Sequence, residues 1–295
     1  MMMKSRIRQV LRRLVRAVVP TFPAGHYYSP IVDPAEIQRD RARVFDSSRR
    51  ITDVDLREAS QLELLQELAR HYPAVPFTRA RTPNLRFYYA NPMFGYSDAI
   101  VYACMLAHRR PRQVVEIGSG FTSALLLDVR DRLVNGNIEC TFIEPHPRRL
   151  EQLLSGDDQK TATIYRQRVQ DVPLSVFDAL EAGDILFIDS SHVAKGGSDV
   201  CHEVFEILPR LAPGMAIHFH DIFYPFEYPE DWFLELNRSW NEAYILRALL
   251  AGSQNYRILF FVDFLQRFQG NEMARNLPRI HGDASGGSIW IEKFA

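Results

Sequence analysis

The sequence predicts an α/β protein: a doubly wound, seven-stranded, mostly parallel sheet with an antiparallel last strand, preceded by a helical extension. Three observations lead there. From residue 113 onward, short apolar runs alternate with amphipathic helical patterns, as repeated βα units require. Several runs are continuously apolar, as in strands covered on both faces; Asp184-Ile185-Leu186-Phe187-Ile188-Asp189 is the clearest. Val114-Val115-Glu116-Ile117-Gly118-Ser119-Gly120 reads as a strand entering a glycine turn before a helix, which is where open α/β sheets bind ligands.

Taken in order, residues 4–19 place Ile7, Val10, Leu11, Leu14, Val15 and Val18 at helical spacing. Lys4, Arg6, Arg8, Arg12, Arg13 and Arg16 stand between them, and no acid occurs in the segment. This is a basic amphipathic helix. Two readings stand: contact with a membrane surface or acidic partner, or docking on its own chain or on a second subunit of a homo-oligomer. Residues 20–95 form an N-terminal extension. Its first part, 20–32, is rich in Pro and aromatics and reads as a packed strap or as a lid. Asp33 caps a helix with Pro34 in its first position, and Gln61–Leu65 belongs to another. Residues 73–95 are a loop. Residues 96–295 are the α/β domain. Ser97 or Asp98 caps its first helix, Ile100, Val101, Cys104 and Met105 share one face, and Pro111 ends it.

Strands are then expected over 113–117, 138–143, 162–166, 184–189, 215–220, 257–262 and 288–293. Helices are expected over 121–133, 147–154, 198–211 and 239–251. No clear crossover helix separates the last two strands, which predicts that the final one is antiparallel.

Composition excludes several classes. The 295 residues are 46% hydrophobic and 24% charged with net charge −1, so no basic field suggests nucleic acid. Cys104, Cys140 and Cys201 show no metal-binding spacing. No apolar run reaches membrane-span length, and the N-terminus lacks a secretory apolar core and cleavage site. A reducing, cytoplasmic setting is the expectation.

The glycine turn alone is ambiguous. A dinucleotide fingerprint requires glycine where Ser123 stands, which disfavours a nicotinamide dehydrogenase. Glu116, Glu144, Asp171 and Asp189 fall at carboxyl ends of strands. Glu144 can accept from ribose hydroxyls and Asp171 from an exocyclic amine. Such an edge suits a sulfonium and an ammonium better than a pyrophosphate.

Glu116-Ile-Gly-Ser-Gly120, Glu144, Gln170-Asp171-Val172, Phe187-Ile-Asp-Ser-Ser-His192 and Leu211-Ala-Pro-Gly-Met-Ala-Ile-His-Phe-His-Asp221 occur in that order. With these pieces, residues 95–295 resemble a class I S-adenosylmethionine-dependent methyltransferase, of the small-molecule O-methyltransferase branch. The resemblance implies a Rossmann-like fold and S-adenosylmethionine as cofactor. Gly118, Ser119 and Gly120, with Glu116 beside them, would face its methionine part. Glu144 would hold the ribose, and Asp171 with Val172 the adenine.

The acceptor chemistry falls to Asp189-Ser190-Ser191-His192 and His220-Asp221. His192 can take a hydroxyl proton near neutral pH, with Lys195 a weaker candidate. Asp189, His220 and Asp221 can converge on one divalent metal. The layout is similar to metal-dependent O-methyltransferases of the catechol and macrolide-sugar types. His220 stands where those carry an acid, which leaves magnesium, a softer metal or none open. His218 reads as core and His202 as surface. The aromatic stretch 222–240, with Tyr224, Tyr228 and Trp232, reads as an acceptor pocket or lid, against a structural flap over the sheet edge. The expected function is methyl transfer to a small-molecule hydroxyl. The alternatives are metal-independent N-methylation and a non-catalytic binding protein of the same fold.

Overall fold

Seven strands form one sheet: β1 (Gln113–Ile117), β2 (Glu139–Ile143), β3 (Thr163–Tyr165), β4 (Ile185–Ile188), β5 (Ala216–His220), β6 (Tyr256–Phe261) and β7 (Ser288–Lys293). Their order is β3-β2-β1-β4-β5-β7-β6. β1 to β5 pair in parallel, and β7 runs antiparallel to both β5 and β6. This computed structural model describes residues 22–281 and 286–295. The helix expected over 4–19 lies outside the described residues. None of the described helices is long and apolar enough to cross a membrane.

Strand order reverses between β1 and β4, so the chain winds outward in both directions from that pair. The crevice at such a reversal is the usual ligand site. Register sets what meets there. Ile117 lies opposite both Ile143 and Ile188, so Gly118, Glu144 and Asp189 leave the sheet side by side. Ile188 lies opposite Phe219, which puts Asp189 beside His220. Val114, Val115, Phe142, Leu186 and Phe187 are fully buried, as their apolar runs require.

The described chain divides into two compact units. One comprises residues up to Ser48 with Pro229–Ser239; the other comprises Arg49–Tyr228 with Trp240–Ala295. The boundary expected at residue 95 is therefore absent. Residues 49–95 belong to the sheet unit, because Gln61 of the helix Glu58–His71 accepts the backbone N–H of Phe261 at 2.7 Å. In the smaller unit, Asp33 caps the helix Pro34–Arg39 through the Ala35 N–H. Arg41 pairs with Glu230 at 2.7 Å, and Phe45 packs on Phe233. Within 22–28, Phe22 stacks on His26 while Tyr27 and Tyr28 are exposed.

Four expectations need correction. The helix Tyr96–Arg109 starts from Gly95, and every residue from Ser97 to Ala107 is buried rather than one face. Ser97 and Asp98 are not caps. Ser97 donates to the Ile280 carbonyl, and Asp98 accepts from the Gly287 N–H and the Ser288 hydroxyl. The helix expected over 198–211 is an α turn (Asp199–His202), a π-helical turn (Glu203–Ile207) and a 3₁₀ turn (Leu208–Arg210). Pro209 cannot donate in an α ladder, and π turns recur beside functional sites. Finally, two helices, Val262–Phe268 and Gly270–Asn276, separate β6 from β7.

Candidate active site

The glycine turn is shaped from beneath and from the side. Gly118 has φ +80°, and a Cβ there would lie 1.8 Å from the Asp189 carbonyl oxygen. Its N–H donates to Ile143 at 3.0 Å. Only glycine meets both demands. Glu116 is fully buried and accepts hydrogen bonds from the Thr122 and Ser123 hydroxyls. Ser123 also accepts from the Gly120 N–H at 3.0 Å. The residue that breaks the dinucleotide fingerprint thus ties the turn to Glu116. Burial pushes the Glu116 carboxyl up to about 8, against the pull of those two hydroxyls.

Above the turn lies a cleft of about 470 Å³. Its walls include Ile117, Gly118, Glu144, Val169, Gln170, Asp189, Ser190 and Lys195. Glu144 accepts from the backbone N–H groups of Ser119 (3.2 Å) and His146 (2.7 Å), which fixes its carboxylate at the rim. Of the residues expected to hold a cofactor, Gly118, Glu144 and Asp189 line this cleft. Ser119 serves through its backbone N–H, and Gly120 and Glu116 sit behind the wall. Asp171 does not line it. Its carboxylate is clamped by Arg168 at 2.8 and 2.9 Å, and that guanidinium holds it below the usual carboxylate range. Val172 is buried away from the cleft. Val169 and Gln170 take the expected place, and Gln170 reaches the Gly197 carbonyl at 3.1 Å. A larger surface cavity of about 650 Å³ lies by Arg86, but that guanidinium is already satisfied by Asp128, Asp131 and Asp158.

Beside the cleft, β4 and β5 bring together the second group. Asp189, His220 and Asp221 each offer a donor atom within 4.8 Å of the others. His192 is buried, with its Nε2 at 3.3 Å from Asp189 and 3.5 Å from Asp221, and its Nδ1 at 2.8 Å from Glu242. Both His192 (φ +59°) and Asp221 (φ +56°) are left-handed. Such backbones cost about 1–3 kcal/mol each and concentrate at functional sites. Burial opposes a charge on His192, but Asp189, Glu242 and Asp221 together raise its pKa well above the usual value. Burial likewise opposes a charge on His220, yet Asp221, Asp189 and Asp98 raise it. Burial works against the Asp189 carboxylate, but His220 and His192 hold it below its ordinary value. Asp221 is raised, chiefly by burial.

A divalent cation suits this donor set. Two carboxylates share the space with one imidazole whose buried Nδ1 finds no hydrogen-bond partner among the described residues. A nitrogen in the set favours a borderline metal over magnesium. His218 is core, stacked on Phe187 with ring centroids 3.9 Å apart, and burial lowers its pKa. His202 is half-buried rather than a surface residue, and its Nε2 has no hydrogen-bond partner among the described residues.

Tyr224 and Tyr228 of the aromatic stretch are core residues rather than open pocket walls. Tyr224 and Tyr228 are about 1% and 2% exposed. Their hydroxyls accept backbone N–H bonds from Ile51 and Ala243, at 3.0 and 3.1 Å. Tyr224 also packs on Phe261, Phe264 and Phe268. Both rings are used inside the sheet unit. Trp232 belongs to the smaller unit, under the Arg238 guanidinium at 4.6 Å. Sequence reasoning missed Trp240, Asn241 and Glu242, which hold His192. An acid opening a helix is ordinary on dipole grounds, so nothing local singles Glu242 out.

Parts of this chain are similar to known proteins. Residues 115–222 match the family described as Methyltransferase domain. An uncharacterized protein of Archaeoglobus fulgidus is 34% identical over 171 residues, covering 56% of this chain and 76% of that protein. Among solved structures, an SAH-bound methyltransferase of Podospora anserina superposes with TM-score 0.45 at 13% identity, over 94% of this chain and 100% of that one. The SAM-bound O-methyltransferase TomG of Streptomyces achromogenes gives 0.45 at 12% identity, over 88% and 96%.

Proposed function

We propose that this chain, whose residues 115–222 match a methyltransferase domain, is a class I S-adenosylmethionine-dependent methyltransferase that methylates a hydroxyl of a small-molecule acceptor. One observation carries the reading: Asp189 belongs both to the cleft wall and to the Asp189–His220–Asp221 cluster. A carboxylate shared by two sites is placed to address cofactor on one side and acceptor on the other. S-adenosylmethionine supplies an electrophilic methyl when bound, and a divalent cation would lower the pKa of a nearby hydroxyl.

The chain's own residues divide the remaining work. Glu144, fixed by two backbone donors, offers carboxylate lone pairs to ribose hydroxyls at the rim. Gly118 keeps the wall free of a side chain, and Val169 and Gln170, which also line the cleft, would meet the adenine. Asp189, His220 and Asp221 would hold the cation. His192, with its Nε2 at 3.3 Å from Asp189 and 3.5 Å from Asp221, is placed beside that set to take the acceptor proton. Most of the rate then comes from holding acceptor and methyl donor in line.

Calorimetry and a methyl-transfer screen test this. The expected result is binding of S-adenosylhomocysteine but not NAD, turnover with hydroxyl acceptors, loss of turnover in EDTA, and recovery with manganese or a similar ion. NAD binding without S-adenosylhomocysteine binding rejects the cofactor assignment. Turnover on amines that ignores EDTA replaces O-methylation by metal-free N-methylation.

A further inference from the structure

His192 is held by one short segment from three directions. Its left-handed carbonyl accepts the N–H groups of Asn241 (3.1 Å) and Glu242 (3.2 Å). Its ring lies against Trp240, with centroids 4.4 Å apart. Its Nδ1 meets the Glu242 carboxylate at 2.8 Å, with both side chains almost fully buried. Asn241 anchors the same loop a second time. Its amide accepts from the Ala194 N–H at 2.6 Å and donates to the Ala194 carbonyl at 3.2 Å. The cost of the left-handed backbone at His192 is thus offset by the start of the helix Glu242–Leu250.

We propose that Glu242 is the positioning residue of His192, fixing the proton on Nδ1 so that Nε2 is the nitrogen presented to Asp189, Asp221 and the acceptor. This rests on the reading of His192 as the group that receives the acceptor proton. Hydrogen-bond satisfaction supports the role. An ionised carboxylate only accepts, so the ring nitrogen facing it must carry a hydrogen. A ring flip would turn carbon toward Glu242 and leave a buried carboxylate without its donor. No substitute donor stands nearby, since the second oxygen of Glu242 already has no partner among the described residues. Losing the partner of a buried charged group is strongly unfavourable. Buried Glu203 adds to this from the side: it accepts from Ser190 at 3.1 Å, and burial and then the charge of Glu242 keep its own carboxyl well above its usual pKa. The Glu203 contact is thus to Ser190, and the carboxylate that meets the imidazole Nδ1 is that of Glu242. The role is that of an orienting acid behind a histidine base, which does not itself touch substrate.

The test reads the imidazole directly, without an acceptor. Full-length protein labelled with ¹⁵N in its histidine rings should show a far-downfield Nδ1–H proton resonance that H192N abolishes. E242Q, which keeps the shape but replaces a charged acceptor by a neutral one, should move that resonance upfield. E242A should lose it to solvent exchange, and E242D should restore part of the native shift. A resonance unmoved in E242Q, or a His192 δ-nitrogen without a proton, overturns the proposal. Calorimetry with S-adenosylhomocysteine runs beside it. Retained binding in E242Q confirms an intact cleft, because Glu242 does not line it. Wild-type protein that does not bind S-adenosylhomocysteine rejects the cofactor reading, while the resonance alone still decides whether Glu242 holds the proton on Nδ1.

Discussion

Two residues at the turn respond to substitution in opposite ways. Gly118 has no room for even a methyl group, because Asp189 presents its carbonyl 1.8 Å from where a Cβ would sit. Gly118→Ala should cost about 3 kcal/mol or more in urea unfolding, since backbone from two strands would have to part. Glu116 carries a different burden. Its pKa rises from 4.5 to about 8 on folding, so the folded chain keeps a proton that the unfolded chain releases. Its contribution to stability is therefore complete below pH 4.5, falls as pH rises to about 8, and is flat above. The slope for one proton is about 1.4 kcal/mol per pH unit. Glu116→Gln should remove this component and unfold at higher denaturant than wild type above pH 8. A variant that keeps the wild-type slope between pH 5 and 8 rules the assignment out. At this scale the sequence is only partly legible. Asp189, His192, His220 and Asp221 are readable because strand ends define an edge. The pairing of Asp171 with Arg168 is not readable, because a carboxylate at that position looks the same in sequence whether free or clamped.

Elements show the same division. All seven strands are legible because continuous apolar runs have few alternative homes. The helices Val262–Phe268 and Gly270–Asn276 are not, because Val262, Phe264 and Leu265 are all buried and read as a continuation of the strand before them. Tyr224 and Tyr228 mislead for a related reason: a run of aromatics is equally suited to a ligand pocket and to a core, and only their hydroxyl partners decide. Glu242 is hidden by its separation of 50 positions from His192. That contact makes the loop after β4 depend on a distant helix. Removing the Asn241 amide leaves both backbone groups of Ala194 unpaired, a loss of about 1–3 kcal/mol. Asn241→Ala should therefore speed hydrogen exchange across residues 190–198 while β1 and β4 amides stay protected. Uniform acceleration across the sheet would mean instead that the anchor supports the whole fold.

Across the whole molecule, one carboxylate stands in both the cleft wall and the Asp189–His220–Asp221 cluster. The sheet order makes this unavoidable: β1 and β4 are neighbours at the reversal, β5 follows, and Asp189 stands between the cleft and the His220–Asp221 pair. Cofactor and cation should accordingly be linked, and linkage in binding is reciprocal. Its sign follows from charge. A cation at Asp189 cancels a negative charge on the cleft wall. S-adenosylmethionine, with its sulfonium, loses more from that than neutral-sulfur S-adenosylhomocysteine does. Manganese should therefore shift the ratio of the two affinities toward S-adenosylhomocysteine by on the order of 1 kcal/mol, about fivefold, and S-adenosylmethionine should weaken manganese by the matching factor. Asp189→Asn should erase this effect of manganese while leaving Glu144 in place at the cleft rim. Titration calorimetry of each ligand with and without the ion measures all four corners of the cycle. A ratio unchanged by manganese would place the ion away from Asp189. A shift that persists in Asp189→Asn would show that Asp221 and His220 couple to the cofactor without it.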